Sequence, residues 1–111
     1  MGRLASSVLV SALLRRAEQE GGFATVVAKG DPTAGAIAVI LAEKGRKARF
    51  LERAMQANGS YAWQSTREDV ENEEEFEKFL SKRRKSDRDL WILELDIASA
   101  ERFAAEMNDS G

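Results

Sequence analysis

The stretch from Phe23 to Ala54 reads as three consecutive strands, and the middle one constrains the fold most. In Ala36 to Ala42, Ile37, Val39 and Leu41 fall on one face and Ala36, Ala38 and Ile40 on the other. A strand that is apolar on both faces sits centrally in a sheet with cover on each side. Its alanine-rich face suits the close approach of a helix. The turn after it, Glu43-Lys44-Gly45-Arg46, places glycine where a hairpin needs positive φ. The turn before it, Gly30-Asp31-Pro32-Thr33-Ala34-Gly35, reads as a second hairpin loop. Pro32 has no amide hydrogen to give a sheet, and Asp31 can bond its own downstream backbone.

The remaining segments extend or cover these strands. Ser6 or Ser7 can cap a helix that runs to about Glu20 and ends at Gly21-Gly22. Leu4, Ala5, Val8, Leu9, Ala12 and Leu13 give that helix a wide apolar arc, with Val10 and Leu14 outside its centre. Such breadth predicts burial against the sheet and also against another helix or a second subunit. The apolar run Val8–Leu14 is too short to cross a bilayer. Arg15-Arg16 follows it without a small-residue cleavage site, so it reads as a buried helix and not as a signal peptide.

Phe23 to Ala28 is the first strand. The third, about Lys47 to Ala54, is wetter than the second. Asn58-Gly59 marks a turn into a fourth strand, Tyr61 to Ser65. Thr66 to Glu71 is a polar loop. Asn72, with Glu75 three residues on, has the spacing of a capping box for a helix over 73–85. That helix begins acidic and ends basic, as its dipole favours. Leu90 to Leu95 is the fifth strand, with Trp91, Leu93 and Leu95 on one face and Leu90, Ile92 and Glu94 on the other. Asp96 can cap a last helix, Ile97 to Met107, and the tail from Asn108 should fray. The whole chain, residues 1–111, is thus a single α+β domain. Its mostly antiparallel five-stranded sheet is covered by helices, in the order α-β-β-β-β-α-β-α.

Composition removes several chemistries. The chain has neither cysteine nor histidine. Disulfides, thiolate catalysis, zinc hydrolysis and Ser-His-Asp catalysis are therefore closed to it. Carboxylates, Lys, Arg, Tyr61 and hydroxyls remain, with a hard cation as the one metal partner such groups would suit. With 17 basic and 19 acidic residues, the net charge of −2 gives no global attraction for nucleic acid or an anionic membrane.

Five constellations have a functional reading to set beside an ordinary one. Lys82-Arg83-Arg84-Lys85 can bind phosphate, but it stands where a helix terminus wants positive charge. Tyr61 and Trp63, beside Arg46, Arg49 and Arg53, can form a base-stacking platform; aromatics on one strand face are more often core. Gly30-Asp31-x-x-x-Gly35 lacks the following helix and Lys-Ser/Thr of a phosphate loop. Asp31, Glu43, Asp89 and Glu94 can be drawn together around a divalent cation for hydrolysis, yet turn carboxylates are ordinarily caps. Arg15-Arg16 can supply an ion pair to Asp31 or Asp89.

Three fragments taken jointly carry a resemblance. They are Val10-Ser11-Ala12-Leu13-Leu14-Arg15-Arg16, Gly30-Asp31-Pro32-x-Ala34-Gly35-Ala36 and Asp87-x-Asp89-Leu90-Trp91-Ile92-Leu93-Glu94-Leu95. Over roughly Arg3 to Asp96 the chain resembles domain-of-unknown-function family 1491, a group of small alphaproteobacterial proteins. Where that family often has Asp-Pro-Asp-Leu-Trp, this chain has Asp87-Arg88-Asp89, without the proline. The resemblance implies a bacterial cytosolic protein and brings no activity, substrate or cofactor. It directs attention to Arg15, Arg16, Gly30, Asp31, Gly35, Asp89, Trp91 and Glu94. The expectation is a cytoplasmic, non-catalytic binding or interaction module, a homodimer or a partner-bound protein, without cofactor, metal or membrane. A cation-dependent hydrolase using Asp31, Asp89 and Glu94 and a nucleic-acid-binding module are the rivals.

Overall fold

The computed structural model describes residues 4–67 and 70–109; Glu68 and Asp69 of the expected polar loop, the first three residues and the last two lie outside the described residues. Helix α1 spans Ser6–Gln19. Strands β1 (Phe23–Ala28), β2 (Ile37–Glu43), β3 (Arg46–Met55) and β4 (Tyr61–Arg67) follow. Helix α2 (Glu73–Ser86), strand β5 (Trp91–Asp96) and helix α3 (Ala100–Asp109) complete the order α-β-β-β-β-α-β-α.

The five strands form one sheet in the order β1-β5-β2-β3-β4. Neighbours pair antiparallel except β2 and β5, which are parallel. The central strands are the most apolar. Every residue of β2 from Ile37 to Ala42 is buried. As alternation predicts, Ile37, Val39, Leu41, Trp91, Leu93 and Leu95 point to one face, under α1 and α3. Ala38, Ile40, Leu90 and Ile92 point to the other, under α2. There Phe50 meets Phe76 and Phe79 edge-on, with ring centroids 5.7 and 5.2 Å apart.

Five expectations are corrected. The Gly30–Gly35 segment is not a hairpin loop. β5 lies between β1 and β2, so the loop crosses over the start of β5. The inner stripe of α1 is Ser6, Val10 and Ala17, with Leu4 and Val8 exposed. The reason lies at the helix start, where the Ser6 hydroxyl donates to the Gly35 carbonyl at 2.7 Å and turns this stripe to the sheet. Neither Ser6 nor Ser7 caps α1 with its side chain; their amides donate to the Thr33 and Pro32 carbonyls. Asp96 caps no helix. Its carboxylate accepts from the Lys44 and Gly45 amides and closes the β2–β3 turn. Glu43 and Ser99 cap α3 instead, through the Ala100 and Arg102 amides. Finally, Asn108 is not frayed: it is helical and its side chain bonds both main-chain groups of Trp63. At α2 the capping expectation holds, with the Asn72 side chain accepting from the Glu75 amide at 3.1 Å.

Candidate functional site

The loop after β1 and the entry to β5 meet over the first turn of α1. The Asp31 amide donates to the Asp89 carbonyl at 3.0 Å. The Asp31 carbonyl accepts from the Trp91 indole Nε1–H at 2.8 Å and from the Gly35 amide at 3.2 Å. Its carboxylate accepts from the Thr33 and Ala34 amides at 3.2 and 2.7 Å. The Trp91 amide donates to Ala36 at 2.8 Å, which starts the parallel pairing of β5 with β2.

The glycines are set by this closeness. A Cβ on either Gly30 or Gly35 would collide with the Asp89 carbonyl, and at Gly35 also with the Asp31 backbone. Glycine serves here because main chain approaches main chain. Asp31, Asp89 and Trp91, with Gly30 and Gly35, therefore do come together. The contacts that join them are largely main-chain bonds, and the Asp31 carboxylate closes its own loop. The junction is a clasp that locks three segments.

The other candidates stand elsewhere. Arg15 is exposed on α1. Arg16 pairs with Glu106 of α3 at 3.1 Å and with Glu20 at 3.9 Å, and lies over the Phe103 ring. Its partners are therefore not Asp31 or Asp89, and it ties α1 to α3. Glu94 lies in mid-β5 between Thr25 and Ile40. Three residues of strand already separate it from Trp91 by about 10 Å, and Asp89 is further still. Glu43, the fourth carboxylate, is engaged at the start of α3. Among the described residues no group of three or more metal-ligating side chains converges, so the proposed cation site does not assemble.

The two arginines of the basic cluster and the aromatic pair are also engaged. Arg83 pairs with Glu52, and Arg84 donates to the carbonyls of Arg88 and Lys29. Trp63 packs against the core beneath α3. Tyr61 lies under the Arg53 guanidinium, 4.1 Å from the ring centroid. One ring is packed and the other covered, so the strand offers no pair of open stacking faces. Beside the clasp, Leu9, Thr33, Arg53 and Tyr61 line part of a cleft of about 420 Å³.

Sequence reasoning missed the sheet's flanks. β1 is an edge strand that exposes Phe23, Val26 and Val27. The opposite edge, β4, is closed at Trp63 by Asn108. The uncharged run Phe23–Ala28 is the signal that could have marked the first. Nothing local marks Asn108.

A mixed five-stranded sheet with two helices on one face, one on the other, and a glycine clasp at its crossing defines a small α+β domain. The family model described as protein of unknown function (DUF1491) matches residues 4–105, and the chain belongs to that family. It is similar to a DUF1491 family protein from Caulobacter crescentus seen by crystallography. The two are 32% identical over 83% of this chain and 86% of that one, with a TM-score of 0.74. An NMR structure of a DUF1491 family protein from the same organism gives 30% identity, 89% and 90% coverage and a TM-score of 0.76. A solution structure of a protein from A. tumefaciens gives 34% identity, 88% and 89% coverage and a TM-score of 0.72. No curated protein matches the chain.

Proposed function

We propose that the chain is a non-catalytic interaction module that works in the cytoplasm by binding a protein partner, with no cofactor. One observation carries this reading. β1, at the margin of the sheet, leaves Phe23 76%, Val27 47% and Val26 41% exposed, and no residue from Phe23 to Ala28 is charged. Edge strands commonly carry charge, proline or a covering element that keeps other chains away. An apolar, uncharged edge is a surface suited to pairing with another strand. The clasp adds support, because its motif residues are engaged with one another.

Native mass spectrometry of the chain purified without added ligand tests the reading. The expected masses are the bare chain, multiples of it, or the chain with another polypeptide. A retained nucleotide or metal ion would overturn it and revive the hydrolase and nucleic-acid readings.

A further inference from the structure

Resting on that reading, we infer that the partner at the β1 edge is a second copy of this chain. Two β1 strands pair antiparallel about a two-fold axis at Thr25, so that one sheet runs through both copies.

The two edges of the sheet differ in a way that favours a closed pair. At β4, the Asn108 carboxamide oxygen accepts from the Trp63 amide at 2.7 Å, and its nitrogen donates to the Trp63 carbonyl at 3.1 Å. A side chain from α3 thus occupies the main-chain groups that an incoming strand would use. The exposed residues there, Gln64, Ser65 and Thr66, are polar, and Arg67 adds a charge at the strand end. β1 has no such cover from the side chains described, and it is apolar. One open edge per copy yields a two-fold dimer; two open edges would yield a filament.

The strand is also complementary to itself. An axis perpendicular to the sheet keeps the α1 layers of both copies on one side and pairs residues of like face. With Thr25 at the axis, Ala24 lies opposite the partner's Val26 in the regular part of the strand. Each valine then meets an alanine, and no charge is buried. The strand ends carry opposite signs. Lys29 follows β1 and is exposed, while Glu18 and Glu20 precede it at the end of α1. Antiparallel pairing brings the Lys29 end of each copy toward the Glu18 and Glu20 end of the other, where Glu20 also holds Arg16 and Arg102. The register irregularity between Val26 and Ala28 ends regular pairing there. It confines the regular junction to Phe23–Val26. A foreign strand would have to find its register against β1 with no charged side chain to read.

Thr25 supplies the test, since it is exposed and the chain has no cysteine. Residues facing each other across an antiparallel two-fold have Cα atoms about 4.5–5.5 Å apart, inside the range of about 4.4–6.8 Å that a disulfide spans. Thr25→Cys, oxidised mildly, is expected to give a covalent dimer; Gln64→Cys on the opposite edge is expected to stay monomeric on a non-reducing gel. Sedimentation of the unaltered chain, from about 1 μM to about 1 mM, is expected to show a monomer–dimer equilibrium. Thr25→Lys, which sets like charges against each other, is expected to raise its dissociation constant at least tenfold while leaving the circular dichroism spectrum unchanged. A monomer throughout that range overturns the inference. A dimer that cross-links through residue 64 and not 25 also overturns it, but leaves the interaction-module reading standing. A retained nucleotide or metal in the native mass spectrum sinks that broader reading whatever the sedimentation shows.

Discussion

The clasp and the β1 edge adjoin in sequence, Ala28 ending one and Gly30 opening the other, yet they use their polar groups in opposite ways. In the clasp, Asp31 places its amide, carbonyl and carboxylate in five hydrogen bonds within 29–36 and to Asp89 and Trp91. It holds the charged and glycine positions that look like a site. β1 has none of those residue types, and the side it turns away from β5 faces outward along with its apolar side chains. Conspicuous residues that complete one another's bonds have little left for a ligand. An unremarkable strand with an open edge has more.

That contrast breaks most sharply at Gly35. Gly35→Ala drives a methyl into the Asp89 carbonyl and the Asp31 backbone, neither of which can swing aside. The expected loss is about 3 kcal/mol, at the upper end of overpacking costs, read as a lower midpoint in urea unfolding. Gly45→Ala is the comparison. Gly45 has φ +81 and open space around it, so only backbone strain opposes a side chain, at about 1 kcal/mol. If the two cost the same, the clasp is not tight.

The next largest effect separates shape from hydrogen bonding. Trp91 is 5% exposed, and its indole donates to Asp31. Trp91→Phe keeps an aromatic ring on the core while removing the donor and some volume. A loss of about 1–3 kcal/mol is expected, as for a broken buried bond, with the 29–36 amides exchanging faster with deuterium. Unchanged exchange would show that the indole bond does not hold the loop.

Much of this architecture was legible in the sequence because it follows from local periodicity. The two faces of β2 and β5, the Asn72 cap and the acidic-to-basic run of α2 are local facts. The insertion of β5 between β1 and β2 is not, since no residue of the Gly30–Gly35 loop records which strand lies beneath it. The exchange of roles between Asp96 and Glu43 has the same origin: each caps an element brought near it only by sheet pairing. The sequence also brought Asp31, Asp89 and Trp91 forward together, and they do meet. Their side-chain types suggested chemistry, whereas the joining bonds are mainly main-chain ones, which nearly every residue can make.

A smaller effect, but one that sharpens the contrast between edges, is expected at Asn108. Asn108→Ala removes two hydrogen bonds at an exposed position. Its cost to stability is about 1 kcal/mol, since water can replace the lost partners. Its structural effect is larger, because the Trp63 amide and carbonyl become free for another strand. The variant is expected to sediment partly as species larger than a dimer at high concentration, and Thr25→Lys in the same chain to suppress them. If Asn108→Ala assembles no further than the unaltered chain, Asn108 does not guard β4, and some other feature of that edge keeps it unpaired.

The least costly change is expected where α1 meets α3. Arg16 is partly exposed and shares Glu20 and Glu106 with Arg102. Arg16→Met keeps a long side chain able to lie over Phe103 and removes the charge together with the guanidinium donors, one of which reaches the Glu106 carbonyl at 3.5 Å. Partly exposed pairs contribute about 0–1 kcal/mol, so the unfolding midpoint should fall slightly. The difference should shrink in high salt, where exposed charges are screened. A loss as large as that of Trp91→Phe would mean that Arg16 anchors the helix layer as firmly as the clasp anchors the sheet. That result would restore one arginine of the Arg15-Arg16 pair to the centre of the fold.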